Sequence, residues 1–199
     1  MMARARRREL GRRTGRMRAA RLCRGLLLAF LALALQPAVR AGGLMLVQSP
    51  LGTGAILQGI LGYTAWPGAS RGLRVCVSRG AAEATDIQRQ LLQAPARDGR
   101  ALSVQLIEPD AMPPAECDAV YFEGWSVEAQ RLALRRLGAH PVLTLGRGPE
   151  FCSDGGMFCL RTTAEGTRFE VNLDSVSRSG LRVHPQVLRL ARPAQERRS

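Results

Sequence analysis

Apolar residues along the chain follow different rules in different stretches. Leu26–Leu35 (LLLAFLALAL) is an unbroken apolar run with no polar face. From Leu51 onward the pattern becomes periodic. Leu51, Ala55, Ile56, Leu57, Ile60, Leu61 and Tyr63 fall near helical spacing, and Trp66-Pro67-Gly68 stops that helix. Leu73–Val77 alternates and is β-branched, which predicts a strand; Ala81–Leu92 predicts a helix with Ile87, Leu91 and Leu92 inward. Ser103–Ile107 and Asp118–Phe122 read as further strands, separated by the Pro113-Pro114 loop. Ser126 suits the N-cap of a helix that carries Val127, Leu132, Leu134 and Leu137 and stops at Gly138. Pro141–Leu145 is a fourth strand. A leading helix followed by β-α-β and β-α-β predicts a mainly parallel sheet covered by helices.

The last third departs from that alternation. Gly155–Leu160 and Arg168–Leu173 read as strands joined through Thr163–Thr167 with Gly166 in the turn, a hairpin. Pro185–Ala191 is expected to close the fold as a helix, and Pro193–Ser199 to be a disordered tail. The expected fold is therefore α/β: a single three-layer domain, its sheet mainly parallel with a C-terminal antiparallel hairpin.

Charge changes the reading of the N-terminus. The chain has 199 residues and a formal charge of +13, with no lysine. Residues 1–41 hold 11 arginines and one acid, Glu9, which leaves only +3 for residues 42–199. That remainder is ordinary surface charge, not a footprint for phosphates, so nucleic acid is not expected as a partner. Arginines from Arg4 to Arg24, the apolar run, and Val39-Arg40-Ala41 with its compact residues have the order of a secretory signal peptide. The run is too short to span a bilayer, which needs about 20 residues, so no membrane insertion of the exported domain is expected. Met17 offers an alternative start to Met1, and Cys23 precedes the apolar core, the wrong side for a lipoprotein acceptor. The expected organisation is a signal peptide over 1–41, one α/β domain over 42–192 and the tail 193–199, located in the periplasm.

Export gives the cysteines their meaning. Past residue 41 there are four: Cys76, Cys117, Cys152 and Cys159. An even number in an oxidising compartment reads as a disulfide framework with three possible connectivities. Nearest-neighbour pairing joins Cys76 to Cys117 and Cys152 to Cys159, contributing about 4 and about 2.5 kcal/mol respectively by loop entropy. Neither CxxC nor HxxxH spacing occurs, so a metal site is not expected.

Catalytic parts are sparse. His140 and His184 each precede a proline, a turn position, and there is no G-x-S-x-G elbow. Gly52-Thr53-Gly54 and Gly146-Arg147-Gly148 complete no phosphate-loop fingerprint. The second follows a strand, where ligands of open α/β sheets sit, so a small-ligand crevice near Gly146–Glu150 is the alternative function considered. Asp118, Glu123, Glu128 and Glu150 read as scattered, solvated acids. Trp125, Phe151, Met157 and Phe158 form an apolar set beside the short cysteine loop, most simply as core. Short pinned loops also carry binding residues, and Phe151, Phe158 and Arg161 are the candidate partner contacts. Neither an enzyme nor a cofactor is expected.

Several runs resemble a known family. Gly155-Gly156-Met157-Phe158, Arg168–Leu173 (RFEVNL), Ser179–Val183 (SGLRV) and Leu188-Arg189-Leu190-Ala191 resemble the C-terminal signature of the YfiR-like periplasmic proteins. Tyr63–Pro67 (YTAWP) ending a helix, the strand around Cys76, Cys117-Asp118 opening another, and the Cys152/Cys159 spacing agree. The resemblance implies a regulator that binds the periplasmic sensor region of an inner-membrane diguanylate cyclase and represses it. Relief of repression would raise cyclic di-GMP and promote biofilm formation. The resemblance also implies bridges Cys76–Cys117 and Cys152–Cys159, the second being the candidate redox-sensitive one, and it leaves room for a homodimer. One departure is the glycine-rich first helix, where Gly52, Gly54, Gly59 and Gly62 each cost about 1 kcal/mol relative to Ala if helical.

Overall fold

The computed structural model describes residues 51–68, 71–93 and 100–191. The expected signal peptide and the tail from Pro193 lie outside those residues. Helix α1 spans Thr53–Gly62 and is followed by the two-residue strand β1, Thr64–Ala65. Two of its glycines are packing notches: a Cβ on Gly54 would meet the Gln90 side chain, and one on Gly59 would lie 2.5 Å from Leu190 Cδ1. The helix loses propensity there and gains close neighbours.

Strand β2 (Leu73–Ser78) leads to helix α2 (Ala84–Gln93) and strand β3 (Leu102–Ile107). Helix α2 starts later than its apolar pattern suggests, because Ala81 and Ala84 N–H groups bond back to Ser78 and Ala81 carbonyls in successive turns. Strand β4 (Ala119–Phe122), helix α3 (Val127–Leu137) and strand β5 (Leu143–Arg147) follow. Ser126 caps α3 as expected, its side chain accepting from Ala129 N–H at 3.3 Å. Glu128 in the first turn and Arg135 and Arg136 in the last complement the helix dipole.

The C-terminal third contains two short helices that periodicity did not reveal, α4 (Pro149–Ser153) and α5 (Leu173–Arg178). The hairpin is real but displaced. Strand β6 is Phe158–Thr163 and β7 is Gly166–Val171, with Gly166 at φ 110° opposite Thr163. Strand β8 (Arg182–Val183) pairs antiparallel with β1, and Pro185–Ala191 is a 3-10 helix rather than an α-helix.

The main sheet has the order β3-β2-β4-β5-β6-β7, all pairs parallel except β6–β7. Period-two alternation divides its side chains between two cores. Leu73, Val75, Val77, Ala119, Tyr121, Leu143 and Leu145 meet Ile56, Leu57 and Ile60 of α1, Ile87 and Leu91 of α2, and Val187. Cys76, Val120, Phe122 and Cys159 face the other way, onto Ala133, Leu134 and Leu137 of α3 and Phe151 of α4. The architecture is thus the expected α/β one: a mainly parallel sheet between two helical layers, an antiparallel hairpin and two disulfides. At one edge Gln88 donates to the Val104 carbonyl of β3 at 3.3 Å; at the other the Leu51 carbonyl accepts from Thr167 N–H of β7 at 2.8 Å.

Candidate functional site

The parallel sheet reverses its winding between β2 and β4, and in such sheets the crevice beyond the strand C-termini at that point is the usual ligand site. Here it is stitched shut. Ser78 Oγ donates to the Glu123 carbonyl at 2.8 Å and accepts from Gly80 N–H at 3.1 Å and Trp125 Nε1–H at 3.0 Å. Gly124 sits at φ 74°, and a Cβ there would lie 2.6 Å from the Gly80 carbonyl oxygen. Only glycine lets the two loops touch.

Beside this seam lies a buried polar network. Tyr121, fully buried, donates its hydroxyl to Glu123 at 2.7 Å. Glu123 in turn faces Arg147, with Nε 3.0 Å from the carboxylate. Arg147 also donates to Thr53 Oγ1 of α1 at 3.1 Å and to Thr162 of β6. Burial, reinforced by the Glu123 carboxylate, pushes the Tyr121 phenol far above its ordinary range. Burial alone would lower the Arg147 guanidinium, but Tyr121 and Glu123 outweigh it and raise it. A phenol fixed in its protonated state and a carboxylate held on two sides are structural ties among α1, β4, β5 and β6. The expectation that Glu123 is solvated is corrected here.

Within Gly146-Arg147-Gly148, the first glycine makes room for an aromatic ring. A Cβ on Gly146 would lie 2.4 Å from Phe151 Cε2, and one on Gly156 2.1 Å from Cε1. The ring of Phe151 therefore occupies the space between these glycines, tilted against Phe122 at 5.6 Å between centroids. Phe151 and Phe158 are both 0% exposed, so these two candidate contacts are core residues and present no side-chain surface to a partner. Phe158 packs edge-on to Phe169 at 5.6 Å. Arg161, the third candidate, is exposed on β6 and paired with Glu170 across the hairpin.

The cysteines pair Cys76–Cys117 and Cys152–Cys159. Cys76, Cys117 and Cys159 are buried, whereas Cys152 is only half-buried. The short bridge ties the end of α4 to the start of β6 and encloses the loop between them. Asn172 holds that loop to α5, its side-chain N–H donating to the Cys152 carbonyl at 2.7 Å and its oxygen capping Ser175 N–H at 3.0 Å. At the opposite, N-terminal edge of the sheet, Asp118 corrects a second expectation. It takes a bidentate pair from Arg71 at 2.7 and 2.9 Å and the Arg74 N–H at 2.8 Å, while its carbonyl accepts from Trp66 Nε1–H at 3.0 Å. Nothing in the local sequence flags Asp118, because its partners lie more than 40 residues upstream. Glu128 and Glu150 are exposed, as read from the sequence.

His140 and His184 are both exposed; His184 stacks on Tyr63 at 6.2 Å and its Nδ1 accepts from Gln186 N–H at 3.2 Å. Among the described residues no group of three or more His, Cys, Asp or Glu is placed to hold a metal ion, and no helix is long and apolar enough to cross a membrane. A family model described as YfiR/HmsC-like matches residues 53–192. The matched stretch opens on the first residue of α1 and runs one residue past the 3-10 helix.

Proposed function

The chain belongs to the YfiR/HmsC-like family, a regulatory family, and from that premise we propose that it is a periplasmic repressor of an inner-membrane diguanylate cyclase. It acts by binding the cyclase's sensor region and holding it inactive. The observation that carries this reading is the family match across nearly every described element, from α1 to the 3-10 helix. Two disulfides agree with folding in an oxidising compartment.

The Cys152–Cys159 bridge is the redox-sensitive element of this proposal. Accessible bridges are reduced more readily than buried ones, and Cys152 is the most accessible of the four bridged cysteines. With Phe151 and Phe158 in the core, Arg161 on the open face of the hairpin is the contact that remains from the sequence-derived set.

The test uses inner membranes that contain a diguanylate cyclase with a periplasmic sensor region, taken from the same organism. Oxidised protein should be retained on those membranes and lower cyclic di-GMP synthesis; a C152S/C159S variant should do so more weakly. Arg161→Glu should weaken retention while lowering the melting temperature only slightly, since its pair with Glu170 is exposed. Unchanged cyclic di-GMP synthesis at saturating oxidised protein would refute the repressor role.

A further inference from the structure

A second pocket, away from the sealed sheet crevice, lies between the short disulfide loop, the end of α3 and α5. It has a volume of about 250 Å³, just below the range usual for drug-sized ligands, which starts at roughly 300 Å³, and so is suited to a smaller molecule. Leu134, Leu137 and Met157 form its apolar wall. Two buried oxygens line it with no hydrogen-bond partner among the described residues: Asp154 Oδ2 and Ser175 Oγ. Ser175 is 7% exposed and the Asp154 side chain 11%. Buried polar atoms are nearly always satisfied, so two such oxygens on one cavity wall call for a donor from outside the chain.

The charges around the pocket restrict what that donor can be. Asp154 Oδ1 accepts from Arg131 Nε at 2.9 Å, and Arg178 pairs with Asp174. Arg135, at the rim, has no ion-pair partner among the described residues. Three guanidinium groups against two carboxylates leave the site net positive. An incoming ammonium is repelled there, while hydroxyl groups can donate to Asp154 and Ser175 at no charge cost. The free fork of Arg135 matches a carboxylate.

We propose that this pocket binds a small hydroxylated carboxylate of the hydroxy-acid or sugar-acid class. Hydroxyls donate to Asp154 Oδ2 and Ser175 Oγ, the carboxylate pairs with Arg135, and the carbon skeleton lies on Leu134, Leu137 and Met157. The assignment rests on this pocket alone and stands or falls separately from the cyclase reading.

The experiment measures calorimetric binding and melting temperature of the purified protein, both bridges formed, with glycerate and glucuronate as probes. Glycerol, glucose and glycine are the comparison compounds. At least one hydroxy acid should bind and raise the melting temperature, with glycine inert and the uncharged polyols much weaker. Ser175→Ala and Arg135→Ala should each weaken binding by about tenfold or more, the loss expected for one hydrogen bond to a charged group. Without ligand, Ser175→Ala should melt like the parent, since its hydroxyl has no partner to lose, and Arg135→Ala only slightly lower, for its place in the last turn of α3. Three results would overturn the proposal: no binding by either hydroxy acid, preferential binding of glycine, or a destabilised Ser175→Ala that binds normally. The last would assign the two oxygens to a structural water.

Discussion

Phe151 shows how much one side chain can demand of its neighbours. Its ring fits only because residues 146 and 156 have no Cβ, since a methyl group on either would overlap a ring carbon. Gly156→Ala should therefore cost about 1–3 kcal/mol, the usual penalty for overpacking, and lower the thermal midpoint by several degrees. A thermal melt against Gly52→Ala, where nothing lies within 4 Å, separates crowding from a general glycine effect. Tyr121 gives a different signature. Its ionisation is pushed up in the folded state, so above a pH of about 10 the unfolded chain loses that proton and the folded chain keeps it. The stability Tyr121 contributes is complete below that pH and declines above it. Denaturant melts on either side of pH 10 should show a fall in the parent that is smaller in Tyr121→Phe. The substitution itself should cost about 1 kcal/mol at neutral pH for the lost hydrogen bond to Glu123.

At the scale of elements, the two bridges restrain different amounts of chain. Cys76–Cys117 joins the buried strand β2 to the segment before β4 across a separation of 41 residues, whereas Cys152–Cys159 spans 7. Loss of the long bridge should cost about 4 kcal/mol and loss of the short one about 2.5. Because Phe151 and Asn172 also hold the short loop, C152S/C159S should keep a cooperative melt. Under limiting reductant, alkylation followed by mass spectrometry should find Cys152 and Cys159 labelled first. Elements of ten or more residues with one buried face, α1, α2 and α3, were legible in the chain's periodicity, as were the buried strands β2, β4 and β5 and the alternating edge strand β3. Helices α4 and α5, at five and six residues, are too short to display a period. Gly155 and Gly156 looked like the start of a strand, but Gly156 is spent on accommodating Phe151 and β6 opens only at Phe158. The cysteine pairs could be read from spacing and context. The ties of Arg147 to Thr53 and of Asp118 to Arg71 could not, because strand order brings those residues together.

For the molecule as a whole, the polar ties explain how a chain with few aromatic residues holds its layers in register. Arg147 reaches α1 through Thr53 and the hairpin through Thr162, so one guanidinium spans the helical layer, the centre of the sheet and its antiparallel end. Thr53→Val should loosen α1 selectively, seen as faster amide hydrogen exchange over Thr53–Gly62 while exchange in β4 and β5 stays slow. The treatment of the two sheet edges has a consequence for behaviour at high concentration. Strand β7 carries Arg168 and Glu170 on the face opposite Phe169 and has one outer amide occupied by Leu51, while β3 exposes Ser103 and Gln105. Charged and polar side chains on edge strands discourage a second molecule from adding its own strand. An R168V/E170V variant should melt near the parent's temperature yet scatter light and bind thioflavin T on concentration. Resistance to fibrils would then be a property of two side chains at the rim, separable from the stability of the fold they border.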